Sequence, residues 1–232
     1  MELFKRATVA VFCFIFFFVC CFFSSPEPEL NAASASPTAI SKIIIDAGHG
    51  GFDGGAVAAD GTPEKDINLM IAEKLAAILR FHGYTVIMTR TEDKGTETDP
   101  SAAIADRKKS DMRERLRVME ENPDALFISI HLNKFTTSIP HGAQVFYSPN
   151  DPESRTLGLS LQETIKRLLQ PENERTVKQA TKSTYLLYKA ALPAVIVECG
   201  FLSNKTELEL LKTDEYQSKM AFAIFCGIEE YT

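Results

Sequence analysis

The chain has no excess of positive charge and few cysteines. Lys and Arg number 25 against 31 Asp and Glu, which gives a net charge of −6. A protein that grips the nucleic-acid backbone needs a basic surface, so nucleic acid is excluded as a partner. Of five cysteines only Cys199 and Cys226 lie beyond the first 25 residues. Two cysteines make no disulfide framework, and we expect both to be free.

The sequence also lacks internal repeats and any strong compositional bias. Hydrophobic residues make up 45% and charged residues 24% of its 232 residues. These values exclude a disordered, collagen-like or multi-spanning membrane protein. The length suits a single domain.

The first 25 residues form an apolar leader. Lys5 and Arg6 precede an unbroken apolar run over residues 7–23. A positive end followed by such a run is typical of a signal peptide, although this run also reaches the lower limit of a membrane span. We expect residues 1–25 to be a signal peptide or an N-terminal membrane anchor, so that the protein is exported and either secreted or tethered. Residues 26–39, rich in Pro, Ser and Ala, are a predicted flexible linker.

The rest of the chain, residues 40–232, alternates predicted strands and helices. Strands are predicted at residues 42–46, 84–88, 126–131, 143–147 and 194–198, with a short edge strand at 185–187. Helices are predicted from Thr62–Pro63 to Gly83 and at residues 106–121, 151–169 and 214–227. This alternation predicts a single α/β domain, with a mainly parallel sheet covered by helices on both faces.

Side chains with useful chemistry stand where these strands end. His49 follows the first strand, His131 ends the third, Glu198 ends the last, and Glu64 lies in the first turn of the first helix. The carboxyl ends of parallel strands meet at one edge of a sheet. Two imidazoles and a carboxylate can hold zinc and leave one position open for water, and a second carboxylate can take a proton from that water.

Each of the four residues also has a simpler explanation. His49 stands between glycines and can be an ordinary loop histidine. Glu64 is favoured in a first helical turn by the helix dipole without any metal. His131 and Glu198 are harder to explain in this way, because a polar group at the end of a buried strand needs a partner.

Four motifs carry a resemblance to a known family. They read IIIDAGHGGFDGGA, PEKDINL, LFISIHLN and PAVIVECGFLSN followed by Glu207, and they span Ile43 to Glu207. In order and spacing they resemble the zinc-dependent N-acetylmuramoyl-L-alanine amidases, which hydrolyse the amide between the lactyl group of muramic acid and L-alanine in peptidoglycan. The resemblance implies a mixed, mostly parallel sheet of about six strands flanked by helices. Residues 40–232 would be the catalytic domain.

The resemblance also implies a role for individual residues. His49, Glu64 and His131 would bind one Zn²⁺ per chain, and Glu198 would be the catalytic carboxylate that accepts the proton of water and returns it to the leaving amine.

Three further residues are candidates for supporting roles at this site. Asp46 is a candidate hydrogen-bond partner of a ligand histidine, or else a strand-end carboxylate facing water. Asn133 and Asn204 are candidates for substrate or supporting contacts, with a turn-forming role as the simpler explanation for Asn204.

One branch of the family is most similar in architecture. The short chain, the single N-terminal apolar segment and the lack of wall-binding repeats resemble the germination-specific amidase of the spore cortex. That resemblance implies removal of peptide stems from glycan strands before a separate deacetylase forms muramic-δ-lactam. A separate activating or anchoring protein is a further expected partner.

Other classes of protein remain open from the residues alone. Cys199 could be the nucleophile of a cysteine amidase, but it neighbours Glu198, and adjacent strand residues point to opposite faces. A non-catalytic peptidoglycan-binding module with structural zinc would need a fourth protein ligand. A zinc carboxypeptidase commonly has His and Glu within one short motif. His82 and His141 are not expected to bind metal.

Overall fold

The computed structural model describes residues 40–232. The predicted leader (1–25) and linker (26–39) lie outside the described residues. Within the described range, no helix combines the length and apolarity needed to cross a membrane.

The core of the fold is one six-stranded mixed sheet. Its strands are β1 (Lys42–Ala47), β2 (Thr85–Met88), β3 (Leu126–Asn133), β4 (Gln144–Tyr147), β5 (Lys178–Gln179) and β6 (Ala194–Phe201), in the order β2-β1-β3-β6-β4-β5. The pairs β1–β2, β1–β3, β3–β6 and β4–β5 are parallel, whereas β4 runs antiparallel to β6. The predicted mixed, mostly parallel α/β sheet is confirmed.

Six helices cover both faces of this sheet. They are α1 (Glu64–Phe81), α2 (Ile104–Glu120), α3 (Pro152–Leu168), α4 (Tyr185–Lys189), α5 (Lys205–Leu211) and α6 (Asp214–Glu229). Helices α1, α3 and α6 bury the larger apolar cluster together with Ile43, Ile45 and Val197. Helices α2 and α4 bury a smaller cluster on the opposite face with Ile44, Phe127 and other residues. The alternation of strand residues between the two clusters follows from the two-residue period of a strand.

Two local predictions differ from the structure. Residues 185–187 are not an edge strand but belong to helix α4, and the edge is instead the two-residue strand β5. Helix α5 was not predicted. Helix α1 begins at Glu64 with Pro63 as its N-cap, just after the predicted start at Thr62–Pro63.

Register brings functional side chains into one row at the carboxyl edge of β3 and β6. His131 of β3 is paired with Glu198 of β6, and Glu198 is paired with Gln144 of β4. Directly paired residues project from the same face of a sheet. The three side chains therefore follow one another across three neighbouring strands, on the face covered by α2 and α4.

Candidate active site

Three side chains from distant parts of the chain converge at this edge. His49, Glu64 and His131 each offer one ligand atom, and these atoms all lie within 4.8 Å of one another. His49 Nε2 is 3.4 Å from Glu64 Oε2, and His131 Nδ1 is 2.9 Å from Glu64 Oε1. The two imidazole rings meet edge to face at 4.9 Å between centroids. The structure thus brings together the three residues that the sequence indicated as ligands.

Two glycines make this convergence possible. A Cβ atom at Gly48 would lie 2.3 Å from atoms of the His131 ring. A Cβ at Gly55 would lie 2.6 Å from Glu64 Oε2 and 2.7 Å from the His49 ring. The glycine-rich loop after β1 therefore packs directly against all three side chains, at a distance that only glycine permits.

Glu64 is held as a buried carboxylate by neighbours from two segments. The N–H groups of Ala56 and Leu132 donate to its two oxygens at 2.9 and 3.1 Å. Burial alone would raise the pKa of Glu64, but the hydrogen bonds to His131 and His49 hold that pKa well below its usual range. Glu64 therefore carries its negative charge inside the site.

His49 is oriented by a residue that the sequence reading did not identify. Its Nδ1 lies 2.9 Å from Asp53 Oδ2, which leaves Nε2 directed towards Glu64. Burial acts to lower the pKa of His49, but the hydrogen bonds to Asp53 and Glu64 outweigh it and raise the pKa to about 9. A metal-binding histidine is usually oriented by a carboxylate that bonds its second ring nitrogen. The sequence signal for such a carboxylate was Asp53, an acidic residue inside the same glycine-rich loop.

Glu198 stands beside this cluster with an incomplete set of partners. Its Oε2 atom is buried and has no hydrogen-bond partner among residues 40–232. Burial raises the pKa of Glu198 to about 7, opposed by nearby His131 and reinforced by the negative charge of Glu64. A carboxyl group in this condition can both accept and donate a proton near neutral pH.

Two buried arginines hold the backbone of the loop that carries His49. Arg115, fully buried, forms an ion pair with Asp46 and donates to the carbonyl of His49 at 2.7 Å. Arg90 donates to the carbonyl of Gly48 at 3.1 Å. Neither arginine was singled out from the sequence, because nothing in a helix or strand pattern marks an arginine as buried.

The structure contradicts both roles expected for Asp46. Asp46 is 1% exposed and hydrogen-bonds Thr89, Ser129 and Arg115, so it neither partners a ligand histidine nor faces water.

Asn204 has a structural task as the N-cap of α5. It accepts the N–H groups of Thr206 and Glu207 and donates to the carbonyl of Ser138 at 3.0 Å. Asn133 ends β3 and is partly exposed, and its substrate role stays a prediction.

The alternative nucleophile lies on the wrong side of the sheet. Cys199 is fully buried in the larger apolar cluster, and its thiol is 3.6 Å from the carbonyl of Val197. Burial raises the pKa of this thiol far above neutral, which keeps it protonated. Both Cys199 and Cys226 are free, as predicted. His82 and His141 do not belong to the metal-binding group.

The donor set fits a zinc ion. Two imidazoles and a carboxylate are ligands that zinc takes in hydrolytic sites with an open position. The same region also contains the buried, unpartnered Oε2 of Glu198, the kind of atom that a ligand or water in the site would satisfy.

Fold and site together define a class, the single-domain α/β hydrolases with a His–Glu–His cluster and an adjacent carboxyl group at the carboxyl edge of the sheet. The chain belongs to the N-acetylmuramoyl-L-alanine amidase family, whose sequence pattern matches residues 43–230. It is therefore a hydrolase that acts on peptidoglycan, and the family and activity predicted from the motifs are confirmed.

Individual relatives agree in sequence and structure. The chain is 36% identical over 191 residues to the germination-specific N-acetylmuramoyl-L-alanine amidase of Bacillus subtilis, covering 82% of this chain and 78% of the relative. It is similar to the CwlD amidase of Clostridioides difficile, solved in complex with the GerS lipoprotein, with a TM-score of 0.79, 39% identity, and coverage of 82% and 98%. The amidase AmiC2 of Nostoc punctiforme has a TM-score of 0.70, 30% identity, and coverage of 82% and 96%.

Proposed function

We propose that this amidase is zinc-dependent and that His49, Glu64 and His131 hold the ion. The observation that carries the proposal is the convergence of one ligand atom from each residue within 4.8 Å. Zn²⁺ bound there would acidify water and polarise the carbonyl of the scissile amide.

Glu198 is the proposed acid–base group. Its buried, unpartnered Oε2 and its pKa of about 7 support a role in which it accepts a proton from the attacking water. The same carboxyl group then returns the proton to the departing amine of alanine. An amine leaves poorly without a proton, so one group that serves twice is chemically sufficient.

Replacement of Glu198 tests this role. Glu198→Gln keeps the size of the side chain and removes its titration, so we expect amide hydrolysis to fall roughly 100- to 10,000-fold. Zinc affinity, measured by competition with a chromophoric chelator, should stay within a few-fold of the wild type. Glu163→Gln, on the exposed face of α3, is the matched control and should hydrolyse normally. Substantial turnover by Glu198→Gln would contradict the assignment.

We further propose a role in the spore cortex, where removal of the stem precedes deacetylation and closure of muramic-δ-lactam. The similarity to a germination-specific amidase supports this role. The gene should restore muramic-δ-lactam, measured by muropeptide chromatography, to Bacillus subtilis spores that lack their own germination-specific amidase. The Glu198→Gln gene should not restore it.

We also propose that a separate accessory protein acts with this chain. The Clostridioides difficile relative was solved with a lipoprotein, which supports a separate activating or anchoring partner for this chain. Zinc occupancy of the purified protein, measured alone and with a candidate partner, tests that proposal, because a partner that completes the site should raise occupancy.

Export is proposed to depend on residues 1–25, followed by the 26–39 linker and the catalytic domain 40–232. Loss of activity from the extracytoplasmic fraction after deletion of residues 1–25 is the expected result.

A further inference from the structure

A cleft of about 560 Å³ is connected to the row of functional side chains through a hydrogen bond between its lining residue Arg175 and Gln144. It is lined by residues 139–141, which precede β4, and by residues 172–175, which follow α3. The glutamates of this lining, Glu172 and Glu174, are exposed at its rim, whereas Arg175 is partly buried. Arg175 is the residue that connects the cleft to the sheet.

The guanidinium group of Arg175 is fixed in place from three sides. Its Nε donates to the carbonyl of His141 at 2.7 Å, and its Nη1 donates to Gln144 Oε1 at 3.0 Å. Its carbon atom lies 4.4 Å from the centre of the Phe201 ring, on which the cation stacks. An arginine held in this way has lost most of its side-chain freedom before any ligand arrives.

Arg175 forms no ion pair with an acidic residue among residues 40–232, although the charge of nearby Glu207 acts on it across a longer distance. Neighbouring Glu207 instead uses its two oxygens to accept the N–H groups of Gly142 and Phe201, at 2.8 and 2.9 Å. The Nη2 atom of Arg175 donates to none of the described residues. A pre-oriented guanidinium with spare donors is suited to bind a carboxylate.

The register of β4 and β6 links Arg175 to the reaction centre through Gln144. Gln144, which accepts from Arg175, is directly opposite Glu198 in the antiparallel pair of β4 and β6. Opposed Cβ atoms are about 5 Å apart, so the guanidinium lies roughly 10 Å from the carboxyl group of Glu198. Extended residues advance by about 3.5 Å each, so the residue after the alanine at the scissile bond can reach Arg175 with its carboxylate.

We propose that Arg175 binds the free carboxylate of the second residue of the peptide stem, which makes this cleft the subsite for the leaving peptide. The inference rests on the proposed function, because it takes Glu198 as the reaction centre. Arg175 is thus a specificity-determining residue, one that distinguishes a stem with a free carboxylate from a stem in which that group is amidated.

The test measures binding, so that it does not depend on turnover. The probes are two muramoyl peptides that differ only in the second residue, which carries either a free carboxylate or its primary amide. Binding to full-length Glu198→Gln protein is measured by calorimetry, with and without Arg175→Met. We expect the carboxylate peptide to bind at least about 10-fold more tightly than the amide, and Arg175→Met to abolish this preference.

Two further variants make the result specific. Arg175→Lys keeps the charge but loses the fork geometry and should retain part of the preference. Arg155→Met, an exposed arginine of α3, should keep all of it. An equal loss of affinity for both peptides in Arg175→Met, or no preference in the parent protein, would overturn the inference. Failure of the proposed catalytic function would appear separately, as undiminished hydrolysis by Glu198→Gln.

Discussion

At the scale of single residues, His49 has an unusual backbone. Its φ is 62°, in the left-handed region, which costs a residue other than glycine about 1–2 kcal/mol. Arg115 donates to the carbonyl of the same residue at 2.7 Å and compensates part of this cost. Strain of this kind persists where surrounding structure over-determines it, which is common at functional sites.

Asp53 is expected to control metal affinity through His49. Asp53→Ala removes the hydrogen bond that orients the imidazole, so zinc affinity should fall about 10- to 100-fold. The measurement is competition with a chelator of known affinity. Asp124→Ala removes an exposed aspartate paired with Lys42 and should leave the affinity unchanged. Equal zinc affinities in Asp53→Ala and wild type would show that the histidine is held in place without Asp53.

The residues that the sequence could reveal are those next to recognisable elements. His49, His131 and Glu198 follow apolar strand patterns, and parallel strands bring such ends together. Arg90 and Arg115 were not identified, because the backbone carbonyls and the Asp46 carboxylate that they bind are brought to them by tertiary folding. Asp53 lies only four residues after His49, so its one sequence signal was an acidic residue within the same glycine-rich loop.

At the scale of elements, the glycine-rich loop after β1 is the most constrained segment of the site. Gly48→Ala would place a methyl group against the His131 ring, and crowding of this kind destabilises by about 1–3 kcal/mol. We expect a lower free energy of unfolding in denaturant titration and a loss of zinc affinity.

Gly54→Ala is the matched control within the same loop. A Cβ at Gly54 would meet its nearest atom, Pro63 Cβ, at 3.9 Å, which is ordinary contact. This variant should stay within about 0.5 kcal/mol of the wild type. Similar losses in both alanine variants would mean that the loop tolerates no side chain anywhere, and the specific packing of Gly48 on His131 would not be the cause.

Short elements were the ones that sequence patterns misplaced. The Tyr-Leu-Leu run of α4 has no clear period, because a few apolar residues suit a strand and a helical turn equally. Helix α5 is seven residues long, and its signal was Asn204 as an N-cap rather than an apolar stripe. The long, periodic helices α1, α3 and α6 were predicted within a few residues of their observed limits.

At the scale of the whole molecule, the buried ion pair of Asp46 and Arg115 links β1 to α2 beneath the site. Burial would raise the pKa of Asp46, but Arg115 and the hydroxyl of Ser129 lower it to about 2. A carboxyl group whose pKa is lowered by folding stabilises the protein above its unfolded pKa, near 3.8.

Acid unfolding should reveal how much the Asp46–Arg115 ion pair contributes to stability. As the pH falls from about 4 to about 2, wild-type protein should lose about 2 kcal/mol through Asp46 alone. The Asp46→Asn variant lacks this contribution to the free energy of unfolding. It is therefore less stable at neutral pH, but its stability changes less between pH 4 and pH 2. Denaturant titrations at several pH values measure the difference. A constant gap between the two proteins down to pH 2 would contradict the assigned ionisation.

The outer strands of the sheet have a consequence for the enzyme at high local concentration. Strand β2 is four residues long, and β5, at the other margin, is a two-residue strand that includes a lysine. A long exposed edge strand has unpaired backbone groups with which a strand of a neighbouring chain can pair, and this pairing is the first step towards amyloid-like aggregation. With both margins so short, copies of the enzyme held side by side have little backbone on which to polymerise.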